Sequence, residues 1–97
     1  MTIYALSTGS GVAGVAIIRV SGPEAANVVK SLTQEEIPTP RMATLRKINN
    51  INTSELIDEG IIIWFPGPES YTGEDMAEIH IHGSKAVVIA VQDEISK

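Results

Sequence analysis

The stretch that decides the fold is Met76-Ala77-Glu78-Ile79-His80-Ile81-His82, in which side chains of different character alternate. Successive side chains of a β-strand point to opposite faces of the sheet. We therefore predict a strand over residues 75–82. Its one face carries Ala77, Ile79 and Ile81, and its other face carries Met76, Glu78, His80 and His82. A carboxylate and two imidazoles on one side of a strand that is apolar on the other side are candidate functional groups.

Further strands and two helices surround this strand in the sequence. Runs rich in apolar and β-branched residues predict strands over 3–6, 12–20, 41–48 and 56–65. A helix is predicted over 23–32, with Ser21 as its cap, and a second helix after Gly83-Ser84, ending at about residue 96. The order β-β-α-β-β-β-α predicts an α+β domain, with a mixed β-sheet and two helices packed on one of its faces.

Length and composition limit the classes of function. The 97 residues correspond to a single domain, 1–97, and the chain has no cysteine, which excludes disulfides and thiol chemistry. Seven basic residues against twelve acidic ones give a net charge of −5. Binding to phosphates requires clustered Lys and Arg. If the protein acts on a nucleic acid, this domain is therefore not the part that grips it.

The apolar runs predict no membrane span. The longest, 61–65 and 86–91, are far shorter than the 18 or so residues that a span requires. The first residues also lack the basic and apolar regions of a signal peptide. We therefore expect a soluble cytoplasmic domain.

A glycine motif near the start suggests a nucleotide site but lacks its context. Residues 9–14 match Gly-x-Gly-x-x-Gly, yet a strand pattern follows instead of the helix that would meet a pyrophosphate. We interpret the motif as a flexible turn. The chain has no Gly-x-x-x-x-Gly-Lys-Ser/Thr sequence, so this segment is not itself a P-loop hydrolase.

Two charged residues, Arg19 and Glu78, lie inside apolar strands. Charges in such positions are partly buried and hence paired. One interpretation is an Arg19–Glu78 ion pair, or two unrelated charges at strand ends. The other is a ligand pocket, in which an acceptor carboxylate and a planar guanidinium donor are set between apolar walls. A third possibility involves metal, because Glu78, His80 and His82 share one face of the strand. The alternative for the histidines is that they are solvated or hydrogen-bonded.

One long motif resembles a known family. The string is Phe65-Pro66-Gly67-Pro68-Glu69-Ser70-Tyr71-Thr72-Gly73-Glu74-Asp75, followed by Glu78 and His82-Gly83. It resembles the N-terminal domain of the MnmE (TrmE) family, the tRNA uridine-modification GTPases. The segments 17–23 and 58–60 agree with it, so the resemblance covers nearly the whole chain.

The resemblance implies a fold like the folate-binding domain of the glycine-cleavage aminomethyltransferase. It implies a tetrahydrofolate cofactor, either 5-formyl- or 5,10-methylene-tetrahydrofolate, contacted by Arg19 and Glu78. In the family this folate supplies one carbon for carbon 5 of the wobble uridine of tRNA. The domain is also expected to form a homodimer. No catalytic residue and no metal ligand is implied within these residues.

In the family the rest of the protein adds a helical domain and a GTPase domain, which this fragment lacks. GTP, magnesium and potassium are implied only for that GTPase domain, and the implied partners are the flavin-dependent MnmG (GidA) protein and tRNA. The chain departs from the family at residues 8–13, where members often have a Pro-Pro-Gly-Arg-Gly-Gly loop, and at Ile81 and Ser84, where many members have glycine. A segment with a further lysine contact to folate would lie beyond residue 97. The alternatives are a pure dimerisation module without a working pocket, or a small metal-binding hydrolase.

Overall fold

The computed structural model describes residues 2–6 and 14–96 of the chain. Their elements follow the predicted order, namely β1 (Ile3–Leu6), β2 (Val15–Ser21), α1 (Ala25–Thr33), β3 (Thr44–Asn49), β4 (Leu56–Phe65), β5 (Met76–His82) and α2 (Lys85–Ile95). Most of the glycine motif, residues 9–13, lies outside the described residues, and so does the predicted start of β2.

The strands form one sheet in the order β1-β2-β5-β4-β3. The predicted α+β class is confirmed, but the predicted mixed sheet is wrong, because each neighbouring pair of the described strands is antiparallel. A strand-helix-strand connection gives a parallel pair only when its two strands lie side by side. Here α1 carries the chain from β2 to β3 at the far edge, and β5 and β4 fill the space between them.

One face of the sheet forms the core and carries both helices, as predicted. Ile79 of β5 lies between Ile18 of β2 and Ile62 of β4 in the strand register, and all three are fully buried. The remaining buried residues of this cluster are Ala16, Val20, Ala25, Val29, Leu32, Ile48, Trp64, Ala77, Ile81 and Val91. Burying one such aliphatic side chain contributes about 1.5–3 kcal/mol, so this face supplies most of the stability.

The two helices differ in how their N-terminal ends are capped. Ser84 caps α2, because its hydroxyl accepts a hydrogen bond from the Val87 N–H at 3.2 Å. The prediction that Ser21 caps α1 is wrong, since the cap position is Glu24, whose side chain makes no capping hydrogen bond to the helix backbone. Ser21 instead ends β2, and its hydroxyl is 2.6 Å from the Thr72 hydroxyl. Among the described residues, no helix has the length and apolar character needed to cross a membrane.

Candidate ligand site on the open face of the sheet

The second face of the sheet is the one on which neither helix packs, and we call it the open face. Its central rows are set by the strand register. Arg19 lies opposite Glu78, which lies opposite Ile63 on the next strand. One row away, His80 lies between Ile17 and Ile61. The charged residues singled out in the sequence are therefore neighbours at the centre of the sheet, between aliphatic side chains.

Arg19 and Glu78 form an ion pair across β2 and β5. The Arg19 Nε donates to Glu78 Oε2 at 2.9 Å, and the two side chains are 39% and 15% exposed. The interpretation as two unrelated charges is therefore wrong. Hydrogen bonds between charged groups are stronger than neutral ones. The pair nevertheless reaches the surface of the open face, where a ligand can approach it.

His80 holds the other oxygen of the same carboxylate. Its Nε2 is 3.0 Å from Glu78 Oε1, and the nitrogen donates because an ionised carboxylate only accepts. Partial burial by itself raises the pKa of Glu78. The hydrogen bonds from His80 and Arg19, together with their charges, outweigh it and bring the pKa below the ordinary value. Glu78 is thus a fixed acceptor with a negative charge.

Tyr71 completes the cluster, and the sequence reasoning did not single it out as a functional residue. Its ring centroid is 5.3 Å from the Cζ atom of Arg19, which is a cation–π distance. The tyrosine is 83% exposed. The sequence does contain a hint of this role. Tyr71 lies between Ser70 and Gly73 in a predicted turn, where a large aromatic side chain has no core to enter.

The loop that carries Tyr71 is tied together by its own motif residues. The Gly67 N–H donates to Asp75 Oδ1 at 2.9 Å, and the Ser70 hydroxyl donates to the Glu74 carbonyl. A Cβ at Gly67 would lie 2.9 Å from the Glu74 carbonyl carbon. The two ends of the loop therefore approach too closely for a residue with a side chain at position 67. Much of the string that carries the family resemblance therefore builds this loop.

The metal interpretation of Glu78, His80 and His82 is not supported. Within residues 2–6 and 14–96 no three acidic or histidine side chains are grouped as a metal site would require. The two histidines use different carboxylates. His80 faces Glu78, whereas the His82 Nδ1 lies 2.7 Å from Asp58 Oδ1, and the His82 N–H donates to Asp58 Oδ2 at 2.9 Å. Asp58 draws His82 away from any set shared with Glu78.

In the described part of the chain, a cavity lies on each side of the sheet. The larger, about 480 Å³, is bordered by Tyr4, Asn27 and Glu94 next to the helices, away from the Arg19–Glu78 pair. The smaller, about 280 Å³, is lined by His80, Ile61 and Leu45 on the open face. We favour the open face as the ligand site despite the smaller volume, because the paired charges and the exposed aromatic ring lie there.

Comparison with known proteins gives a consistent result over the whole chain. The family model described as the N-terminus of the GTP-binding protein TrmE matches residues 2–97. A tRNA modification GTPase MnmE from Pelagibacter ubique is 71% identical over 97 residues, which is all of this chain and 22% of that protein.

Other relatives are more distant. A mitochondrial 5-taurinomethyluridine-tRNA synthase subunit from Danio rerio is 54% identical over 90 residues, which is 93% of this chain and 18% of that protein. An MnmE protein from Rhizobium meliloti is 54% identical over 95 residues, 98% of this chain and 21% of that protein. The chain thus spans about a fifth of the length of the curated relatives that it matches.

Proposed function

The chain belongs to the family of TrmE N-terminal domains, and from this premise we propose that it binds a reduced folate and forms a homodimer within a tRNA modification GTPase. The names of the relatives support the tRNA part of this proposal, since they are tRNA modification GTPases and a tRNA synthase subunit for a modified uridine.

The observation that carries the folate proposal is the held carboxylate of Glu78. A pterin ring presents an exocyclic amino group beside a ring N–H, which are two parallel donors that one carboxylate can accept together. A carboxylate has about four acceptor positions, and Arg19 and His80 use one on each oxygen of Glu78. Acceptor capacity therefore remains on both oxygens, and the lowered pKa keeps the group ionised.

Arg19 provides the complementary donors. Its Nε faces Glu78, and its guanidinium carries two terminal nitrogens that can donate to oxygens of the folate ring or tail. When bound, 5-formyl- or 5,10-methylene-tetrahydrofolate supplies the one-carbon unit for carbon 5 of the wobble uridine. In this proposal Glu78 and Arg19 bind and orient the folate, and neither is a catalytic acid or base.

The homodimer proposal is supported by apolar side chains around the charges of the open face. Ile3, Val15 and Leu45 point to this face and are 60%, 52% and 58% exposed. They offer a second copy of the chain apolar surface to bury. Because the chain has a net charge of −5, we propose that tRNA binds to other parts of a longer cytoplasmic protein. We propose the same for the MnmG partner, and for GTP because the chain has no P-loop sequence.

Calorimetric titration with 5-formyltetrahydrofolate tests the folate proposal. We expect one ligand per chain, and we expect Glu78→Gln to weaken binding about tenfold or more, because Gln turns one acceptor oxygen into a donor that faces the donors of the ring. Glu74→Gln is the control, since it neutralises an exposed carboxylate of the neighbouring loop. Equal affinities of wild type and Glu78→Gln would contradict the proposal.

Sedimentation of the same samples tests the dimer separately. We expect wild type and Glu78→Gln to sediment as the same homodimer. A folded dimer that gives no heat with the folate would instead support the pure dimerisation module. A monomeric chain would contradict the homodimer proposal.

A further inference from the structure

The Tyr71 side chain has one ring face against Arg19 and is otherwise open to solvent. At 83% exposure it contributes little to the core, whereas most large aromatic side chains in folded proteins bury much of their surface. Its ring lies over the guanidinium whose Nε is bonded to Glu78. The exposed ring and the acceptor carboxylate of the proposed site thus share Arg19 as a neighbour.

The backbone on both sides of Tyr71 is held in place. The Ser70 hydroxyl donates to the Glu74 carbonyl, and the Gly73 N–H donates to the Ser70 carbonyl at 3.3 Å. On the other side, the Thr72 hydroxyl is 2.6 Å from that of Ser21, at the end of β2. The strand that carries Arg19 therefore also fixes the turn that carries Tyr71. A contact group placed in advance in this way loses less entropy when a ligand binds.

We propose that Tyr71 is a ligand-contacting residue that stacks on the planar pyrimidinone ring of the reduced folate and selects for ligands with such a ring at the Arg19–Glu78 pair. This inference rests on the proposed folate function. Glu78 recognises donors in the plane of the ring, and a stacked tyrosine recognises the face of the ring. The first contact lies in the plane of the ligand ring and the second lies on its face. A ligand therefore needs a planar ring with donors at the right positions to make both contacts.

Tyr4 offers a matched control within the chain. It is also a partly exposed tyrosine, at 38%, on the edge strand β1. It borders the larger cavity beside the helices, on the other side of the sheet from the Arg19–Glu78 pair. Replacing Tyr4 therefore removes the same side chain at a place where no contact with the proposed ligand is expected.

The test is calorimetric titration of the 97-residue chain and three variants with 5-formyltetrahydrofolate. We expect Tyr71→Ala to weaken binding about 3- to 10-fold, which is the usual effect of one aromatic contact, and Tyr71→Phe to stay within about twofold of wild type. Tyr4→Ala should bind like wild type. Because Tyr71 is exposed, its variants should unfold at the wild-type temperature, and thermal unfolding checks this.

A second measurement reports the contact directly. In NMR spectra recorded during the titration, the ring protons of Tyr71 should shift and those of Tyr4 should not. If Tyr71→Ala binds as tightly as wild type, or if the Tyr71 ring signals do not move, the stacking inference is wrong. The folate proposal itself still stands in that case if Glu78→Gln loses affinity. If the wild-type chain does not bind the folate at all, both proposals fail.

Discussion

The two faces of the sheet differ in the side chains that they carry at their centre. On the helix-covered face, β2, β4 and β5 contribute only apolar side chains to the central rows, and Ile18, Ile62 and Ile79 are fully buried. On the open face β2 and β5 place Arg19, Glu78 and His80 between partly buried aliphatic residues. One face can be explained by packing alone, and the other cannot.

The difference shows which side chains contribute to folding stability and which do not. Each buried isoleucine contributes about 1.5–3 kcal/mol to folding. A partly exposed ion pair contributes about 0–1 kcal/mol. Charged groups at the centre of the open face therefore add little stability, which is consistent with a role in binding.

The largest expected effect comes from truncating the covered face. We expect Ile79→Ala to lower the free energy of unfolding by about 2–5 kcal/mol, because a fully buried side chain leaves a cavity. Ile63→Ala is the matched change on the open face, and its cost should be clearly smaller. Urea unfolding at pH 7 measures both. If the two substitutions cost the same, Ile63 is as tightly packed as Ile79, and the two faces do not differ as described.

The second effect concerns the close approach of β4 to β5. A Cβ at Gly60 would lie 2.2 Å from the His80 carbonyl oxygen, so Gly60→Ala must push the strands apart. We expect a loss of about 1–3 kcal/mol, typical of overpacking. Gly14→Ala is the control, since no atom lies within 4 Å of a Cβ there. Thermal unfolding of both variants gives the comparison, and equal melting temperatures would contradict the tight contact.

The third effect depends on pH and concerns Asp58 at the end of β4. Burial raises the pKa of Asp58, but hydrogen bonds from the backbone and ring of His82 outweigh this and lower it overall. A group whose folded pKa is lowered stabilises the fold above its unfolded pKa, about 3.9, and loses that contribution as the pH falls through the folded pKa. Asp58→Asn should therefore be less stable than wild type at pH 7, by about 1 kcal/mol.

Unfolding of Asp58→Asn and wild type across pH 7 to pH 2 checks the sign. The difference in stability should persist at pH 5 and shrink below about pH 4. Asp93→Asn changes an exposed carboxylate of α2 and should show no such difference. A difference that grows toward low pH would contradict the assignment.

The smallest effect on stability comes from the site itself. We expect Arg19→Gln to change the free energy of unfolding by less than about 1 kcal/mol, because Arg19 is 39% exposed and solvent screens the pair. The same variant should lose affinity for 5-formyltetrahydrofolate. Lys30→Gln, which removes an exposed charge of α1, should change neither quantity. A loss of several kcal/mol with Arg19→Gln would mean that the pair is structural.

Most of the local structure was predictable from local patterns. The run 56–65 is observed as β4 over Leu56–Phe65, and the predicted strand 75–82 is observed as β5 over Met76–His82. Alternation indicated the two faces of β5, because side chains alternate along any strand. The second helix also begins where Ser84 predicted it.

The errors share one cause, which is a contact between residues distant in the chain. Ser21 is a good cap by its position, but it bonds with Thr72, 51 residues away. His82 is held by Asp58, 24 residues away, and this separates it from the other histidine. No local pattern shows which of several possible partners a polar side chain takes.

The sequence by itself determined the elements, their inward and outward faces, the family, and the unusual position of Arg19 and Glu78 in apolar strands. Only the tertiary structure decided that β2 pairs with β5, that Arg19 therefore meets Glu78 across 59 residues, and that the loop places the Tyr71 ring against Arg19. The physical reason is the distance along the chain over which each feature is determined. Backbone conformation and side-chain periodicity are set within a few residues, whereas strand order and register depend on the burial of the whole core.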